Sequence, residues 1–110
     1  MEQISFADFA KLEIKIGTII AVEVVPEADK LLKLTVEVGE EQPRQIVSGI
    51  RTYFADPQEL VGKQCPFITN LEPRMIKGLE SQGMIMASGD GEAFALLHPH
   101  VPMVSGSIVR

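Results

Sequence analysis

A small all-β domain with short helices, closing as a five-stranded barrel, is the fold class that the sequence predicts, and three observations predict it. Apolar residues recur at period two in several short segments, most cleanly in Leu31 to Val38. Turn residues, mainly Gly and Pro, separate those segments. Three of the strand-like segments precede one short helical segment and two follow it, within a chain of 110 residues that is long enough for one core.

Each element follows from its own residues. The opening ISFADFAKL reads as a short helix: Ser5 is a capping residue, Asp8 lies three positions on, and Ile4 is placed to staple onto Phe9. From Leu12 the period changes to two, with Leu12, Ile14 and Ile16 alternating against Glu13 and Lys15, and Gly17 predicts a bulge or bend before TIIAVEV resumes. Val25 to Lys30 is a loop. In the second strand Leu32, Leu34, Val36 and Val38 share one face and Lys33, Thr35 and Glu37 the other. Gly39 to Pro43 turns the chain into a third strand, Arg44 to Ile50. Asp56-Pro57-Gln58-Glu59-Leu60 places a cap before a proline in the first helical position and predicts a helix of one or two turns. Lys63 to Asn70 is the fourth strand, with Pro66 arguing for an edge or a bulge. Asn70 to Met84 is a loop stretch, and Gly83 to Ala87 pairs with Ala93 to Leu97 as a hairpin, with Met84 and Met86 in the core. This order is that of the OB fold, whose helix lies between strands three and four. Residues 1–110 form a single domain, with the barrel at about 12–97 and a C-terminal extension at about 98–110.

Charge and composition narrow the function. Ten basic residues stand against 15 acidic ones, a net charge of −5, so a uniformly basic nucleic-acid-binding coat is excluded and any such site is a local patch. No apolar run approaches membrane-span length. A single cysteine, Cys65, forms no internal disulfide, and a reducing, cytoplasmic location is expected. Catalysis finds no foothold. His98-Pro99-His100 lacks a neighbouring Cys or carboxylate, Ser48-Gly49 lacks the first glycine of a nucleophile elbow, Cys65 falls in a strand as a packing residue, and no Walker-type phosphate loop is present. No catalytic residue, metal or cofactor is expected.

The OB fold binds oligonucleotides on the face of strands two and three and with the loops joining strands one to two and four to five. On that frame Arg74 and Lys77 in the four-to-five loop lie beside Lys30 and Lys33, and Arg44 extends the patch. Such a cluster can hold phosphates on an acidic chain, because screening limits the reach of distant carboxylates to about 8 Å at physiological salt. Asn70, Ser48 and Ser81 add neutral hydrogen-bonding groups suited to sugar or base edges. The bland alternative is a solvated surface of scattered cations. Met75, Ile76 and Leu79 read as loop packing, and Tyr53 and Phe54 lie near the helix rather than in the loops. Without stacking platforms in those loops, a folded RNA read by shape and backbone is the expected ligand.

Several blocks, in order, resemble one family. FAKLEIKIGTI, PEADKLLKLTVEVGE, RQIVSGI with PQELVGKQ, and NLEPRMIKGLESQGM are similar to the successive motifs of the tRNA-binding domain found at the C-terminus of many bacterial methionyl-tRNA synthetases and as free-standing tRNA-binding proteins. The resemblance runs over nearly the whole chain and implies a non-catalytic module that binds tRNA. It also implies, as a second partner, the catalytic part of a methionyl-tRNA synthetase if the chain is a piece of one. Asn70, Arg74, Lys77 and Ser81 match the segment linked to RNA binding, flanked by Lys30 and Lys33. Two positions depart from the pattern: Met75 replaces a frequent lysine, and Glu72 stands where a basic residue is common. The family dimerises through the region after the barrel, and Val101, Met103, Val104, Ile108 and Val109 form an apolar tail there, so a two-fold homodimer is expected, against the alternative of a tail folded back on the barrel. The rival function is a CsaA-like export chaperone that binds unfolded polypeptide. An adaptor for assembling synthetases is a third reading.

Overall fold

The computed structural model describes residues 1–110. Ser5 caps the short helix α1 (Phe6–Phe9) by accepting from the Asp8 N–H at 3.1 Å. Its predicted staple does not form a buried contact, since Ile4 is 67% exposed and α1 contributes no buried residue. The first four strands are β1 (Ile14–Val24), β2 (Leu32–Glu37), β3 (Arg44–Ser48) and β4 (Gln64–Ile68). The remaining strands are β5 (Arg74–Ile76), β6 (Leu79–Ser81), β7 (Met84–Ile85), β8 (Ala87–Asp90) and β9 (Ala93–Leu96). An antiparallel five-stranded sheet in the order β3-β2-β1-β4-β7 curls into a nearly closed barrel, and β5-β6 and β8-β9 are separate hairpins.

Alternation in β2 is complete and continues one residue past it to Val38. Leu32, Leu34, Val36 and Val38 are all fully buried and meet Ile19, Val22, Ile46, Phe67 and Ile85 in one core. Burying each such side chain is worth about 1.5–3 kcal/mol, so this stripe anchors the barrel.

The long strand β1 serves two neighbours, pairing through Ile14–Thr18 with β4 and through Thr18–Val24 with β2. Its register shifts between Ile19 and Ala21, so the bulge lies past Gly17, where the sequence had placed it. Gly17 is required for a different reason. A Cβ there would sit 2.7 Å from Val36 Cγ1 and 2.8 Å from Phe67 Cδ2, so the barrel wall closes directly over its backbone.

The predicted helix between strands three and four is two 3-10 turns, Arg51–Tyr53 and Pro57–Leu60, and Asp56 caps the second through the Gln58 N–H at 3.1 Å. Pro66 is not on an edge strand, because β4 lies between β1 and β7. Its carbonyl accepts from the Met86 N–H at 3.1 Å just beyond the short β7 ladder, which ends at Phe67–Ile85. The predicted closing hairpin is split: β7 joins β4, while β8 and β9 pair with Asp90 opposite Ala93. Ile85 is therefore the core residue of β7, and Met84 is 45% exposed.

The seam between β3 and the segment 81–83 is closed by both backbone and side-chain bonds. Gln82 N–H donates to the Gln45 carbonyl at 2.8 Å, and the Gln45 N–H donates to Gln82 Oε1 at 3.0 Å. The tail folds along the outer edge of β1, where Ile16 N–H donates to the Ser107 carbonyl at 2.8 Å and Val109 N–H to the Ile14 carbonyl at 2.8 Å. Even so, Val101, Met103, Val104 and Ile108 remain exposed, Val104 at 80%. No helix is long and apolar enough to cross a membrane.

Candidate nucleic-acid interface

The segment 70–84, expected as a loop, folds as the β5-β6 hairpin. Its register pairs Arg74 with Ser81 and Ile76 with Leu79, leaving Lys77 and Gly78 as a two-residue turn. Both turn residues have positive φ, 51° and 81° respectively, the arrangement of a type I′ turn, whose backbone twist matches that of the flanking strands. Gly78 adopts it freely, whereas Lys77 is a side chain held in the left-handed region.

Ser81 fixes the hairpin to the barrel. Its hydroxyl, buried at 4% exposure, accepts from the Val47 N–H at 3.0 Å and donates to the Gly83 carbonyl at 3.0 Å. At the other end Asn70 Oδ1 accepts from the Glu13 N–H at 2.7 Å, and its Nδ2 donates to the Lys11 carbonyl at 2.6 Å. Arg44 is likewise occupied: Nε and Nη2 each donate to the Glu40 carboxylate at 2.7 Å, and Nη1 donates to the carbonyls of Thr69 and Gln82. That bidentate pair with Glu40 holds the Arg44 pKa above its usual value and the Glu40 carboxyl below the ordinary carboxylate range. Glu13 is lowered mainly by the hydroxyl of Thr69, which donates to it at 2.7 Å. So three of the eight residues expected to touch RNA, Arg44, Asn70 and Ser81, spend their polar atoms holding the hairpin and its ends in place.

Of the others, Lys30, Arg74 and Lys77 are exposed, and Lys33 and Ser48 are half-buried. Lys33 and Lys77 line one groove with Glu23, Val25 and Pro26, so the hairpin tip reaches the β1-β2 loop. Lys33 is paired across the strands with Glu23 at 3.2 Å. Lys30 is exposed in that loop, Arg74 is exposed at the hairpin base, and Ser48 is half-buried at the end of β3 opposite Leu32. The four ion pairs of the chain use Lys11, Lys15, Lys33 and Arg44, and leave Lys30, Arg74 and Lys77 without a carboxylate partner.

Sequence reasoning missed one cation here. Arg51 follows the turn after β3, and its N–H donates to the Lys30 carbonyl at 3.1 Å. The signal was the short Gly49-Ile50 connection, which returns the chain to the β1-β2 loop.

Elsewhere the chemistry is quiet. Cys65 is fully buried and burial pushes its thiol up to about 11, so it stays protonated and is not a nucleophile. His98 Nδ1 is hydrogen-bonded to the Gln64 carbonyl at 2.7 Å.

These features define an OB-fold barrel whose β1-β2 loop and β5-β6 hairpin carry three cations, Lys30, Arg74 and Lys77, without carboxylate partners. Residues 14–107 match the family model described as "Putative tRNA binding domain", and the chain belongs to that family. It is 51% identical over 108 residues to a methionine–tRNA ligase of Methanospirillum hungatei, covering 98% of this chain and 16% of that one. With the ligase of Porphyromonas gingivalis it is 46% identical over 110 residues, at 99% and 16% coverage. The chain thus spans about one sixth of the length of these relatives. Among solved structures, a methionyl-tRNA-synthetase-related protein from Pyrococcus horikoshii superimposes with a TM-score of 0.90 at 32% identity, covering 100% of both chains. The CsaA chaperone of Bacillus anthracis superimposes at 0.87 with 24% identity, over 99% of this chain and 100% of that one, a likeness of fold.

Proposed function

We propose that this chain is a non-catalytic tRNA-binding module, acting as the C-terminal domain of a cytoplasmic methionyl-tRNA synthetase or as a free-standing tRNA-binding protein. In a synthetase it raises the local concentration of tRNA at a separate catalytic domain. One observation carries the reading: in a chain of net charge −5, Lys33 and Lys77 line one groove against the β1-β2 loop that bears Lys30, and Lys30, Arg74 and Lys77 have no carboxylate partner. Lys30, Lys33, Arg74 and Lys77 contact phosphate, Ser48 contributes a hydroxyl beside them, and Arg44, Asn70 and Ser81 shape the surface from beneath. The apolar tail, Val101, Met103, Val104, Ile108 and Val109, pairs with its symmetry mate in a homodimer.

Fluorescence anisotropy with a tRNA across a salt series tests the reading. Binding is expected to fall with salt, and Arg74→Ala/Lys77→Ala is expected to bind more weakly with a slope shallower by about 1 per lost phosphate contact. Absence of tRNA binding at low salt, with salt-resistant binding of an unfolded polypeptide, would replace it with the chaperone reading.

A further inference from the structure

A second groove lies beside the Lys33–Lys77 groove and shares Val24 with it as a common wall. Arg51, Thr52 and Asp29 supply its polar groups, and Phe54 and Pro57 its floor. Val24 is 48% exposed between the two, so a ligand lying in one groove continues over a low apolar ridge into the other. We infer that Arg51 is a further phosphate anchor, and that the RNA backbone runs from the hairpin tip across Val24 to the 3-10 turn at Arg51–Tyr53. The inference rests on the tRNA-binding reading and extends it to a residue outside the predicted patch.

Three observations carry it. Arg51 forms no ion pair within the chain, although Asp29 lines the same groove. Its backbone is fixed at both ends, by the N–H bond to the Lys30 carbonyl at 3.1 Å and by its own carbonyl accepting from the Phe54 N–H at 3.2 Å. A held backbone with an unpaired guanidinium presents a planar fork that matches a phosphate in bidentate fashion. The β1-β2 loop that supports it is itself ordered by turns, with Val25 and Ala28 both buried at 7% exposure. The free Asp29 carboxylate is an acceptor suited to a ribose 2′-hydroxyl next to that phosphate.

The test uses the whole chain and a tRNA transcript in a salt series, comparing Arg51→Gln, Arg51→Lys and Arg110→Gln. Arg110 is exposed and lines neither groove, so Arg110→Gln makes the same change in net charge away from the proposed path. Arg51→Gln is expected to weaken binding about three- to tenfold and to shallow the salt slope by about 0.7–0.9. Arg51→Lys should recover the slope but only part of the affinity, and Arg110→Gln should leave both unchanged. Equal behaviour of Arg51→Gln and Arg110→Gln overturns the inference. So does an Arg51 Nε–H resonance in the wild-type chain that does not move when tRNA is added, a readout that needs no variant to fold. A wild-type chain that fails to bind tRNA at all overturns the proposed function itself.

Discussion

Lys77 combines two demands that oppose one another. Its backbone, at φ 51°, occupies a region where a side chain costs of order 1–3 kcal/mol and where type I′ turns favour Asn, Asp or Gly. Its ammonium, at the tip of the hairpin, faces the groove that also holds Lys33. Strain kept at an exposed position is consistent with a charge retained for binding at the expense of stability. Lys77→Asn is therefore expected to stabilise the chain by about 0.5–1 kcal/mol while weakening its affinity for tRNA. A thermal melt paired with an anisotropy titration checks this. Loss of both stability and affinity would show that the turn depends on the lysine itself.

At the scale of elements, the legible parts of the sequence were those whose side-chain period and burial agree. β2 reads directly because Leu32, Leu34, Val36 and Val38 all face one core, and the capped Pro57–Leu60 turn reads because Asp56 and Pro57 are both local signals. The β5-β6 hairpin was not legible, because Lys-Gly is an uncommon pair for its turn and its strands are three residues each. Pro66 misled for a related reason: its missing N–H falls where the ladder with β7 has already ended. At the site, the cationic positions were legible as residue types. The occupied state of Arg44 was not, because Glu40, Thr69 and Gln82 meet only after folding.

The tail's attachment was equally hidden, since its first part is held by one side-chain amide. Gln64 Oε1 accepts from the Met103 N–H at 2.9 Å, and its Nε2 donates to the Met103 carbonyl at 2.7 Å and to Thr18 Oγ1 at 3.0 Å. Residues 106–109 have their own backbone bonds to β1. Gln64→Ala is thus expected to cost about 1–2 kcal/mol and to speed hydrogen exchange at the Met103 amide while leaving Gly106 and Val109 protected. Uniform loss of protection along the tail would mean that the two attachments form a single cooperative unit.

For the whole molecule, the balance between core and surface is the informative quantity. Only 22 of 110 residues are buried, yet 45% of the chain is hydrophobic, so apolar surface remains uncovered. Much of it lies at the two ends of the chain: Ile4 and Phe6 before the barrel, and Val101, Met103, Val104 and Ile108 after it. Single exposed apolar residues are ordinary, but several in a short tail that is pinned to β1 make a preformed face. Pinning matters, because a tail ordered before association avoids much of the entropy cost of ordering it at the interface. A two-fold partner would cover that face and bring two Lys33–Lys77 grooves into one particle. Light scattering on the eluting chain is expected to give the mass of two copies. Val104→Asp alters a side chain that is 80% exposed and carries no core contact, so it should preserve the melting temperature of the barrel while yielding one copy and weaker tRNA binding. A wild-type chain that elutes as one copy would instead make the tail a covering for β1 alone, and the exposed valine a surface without a partner.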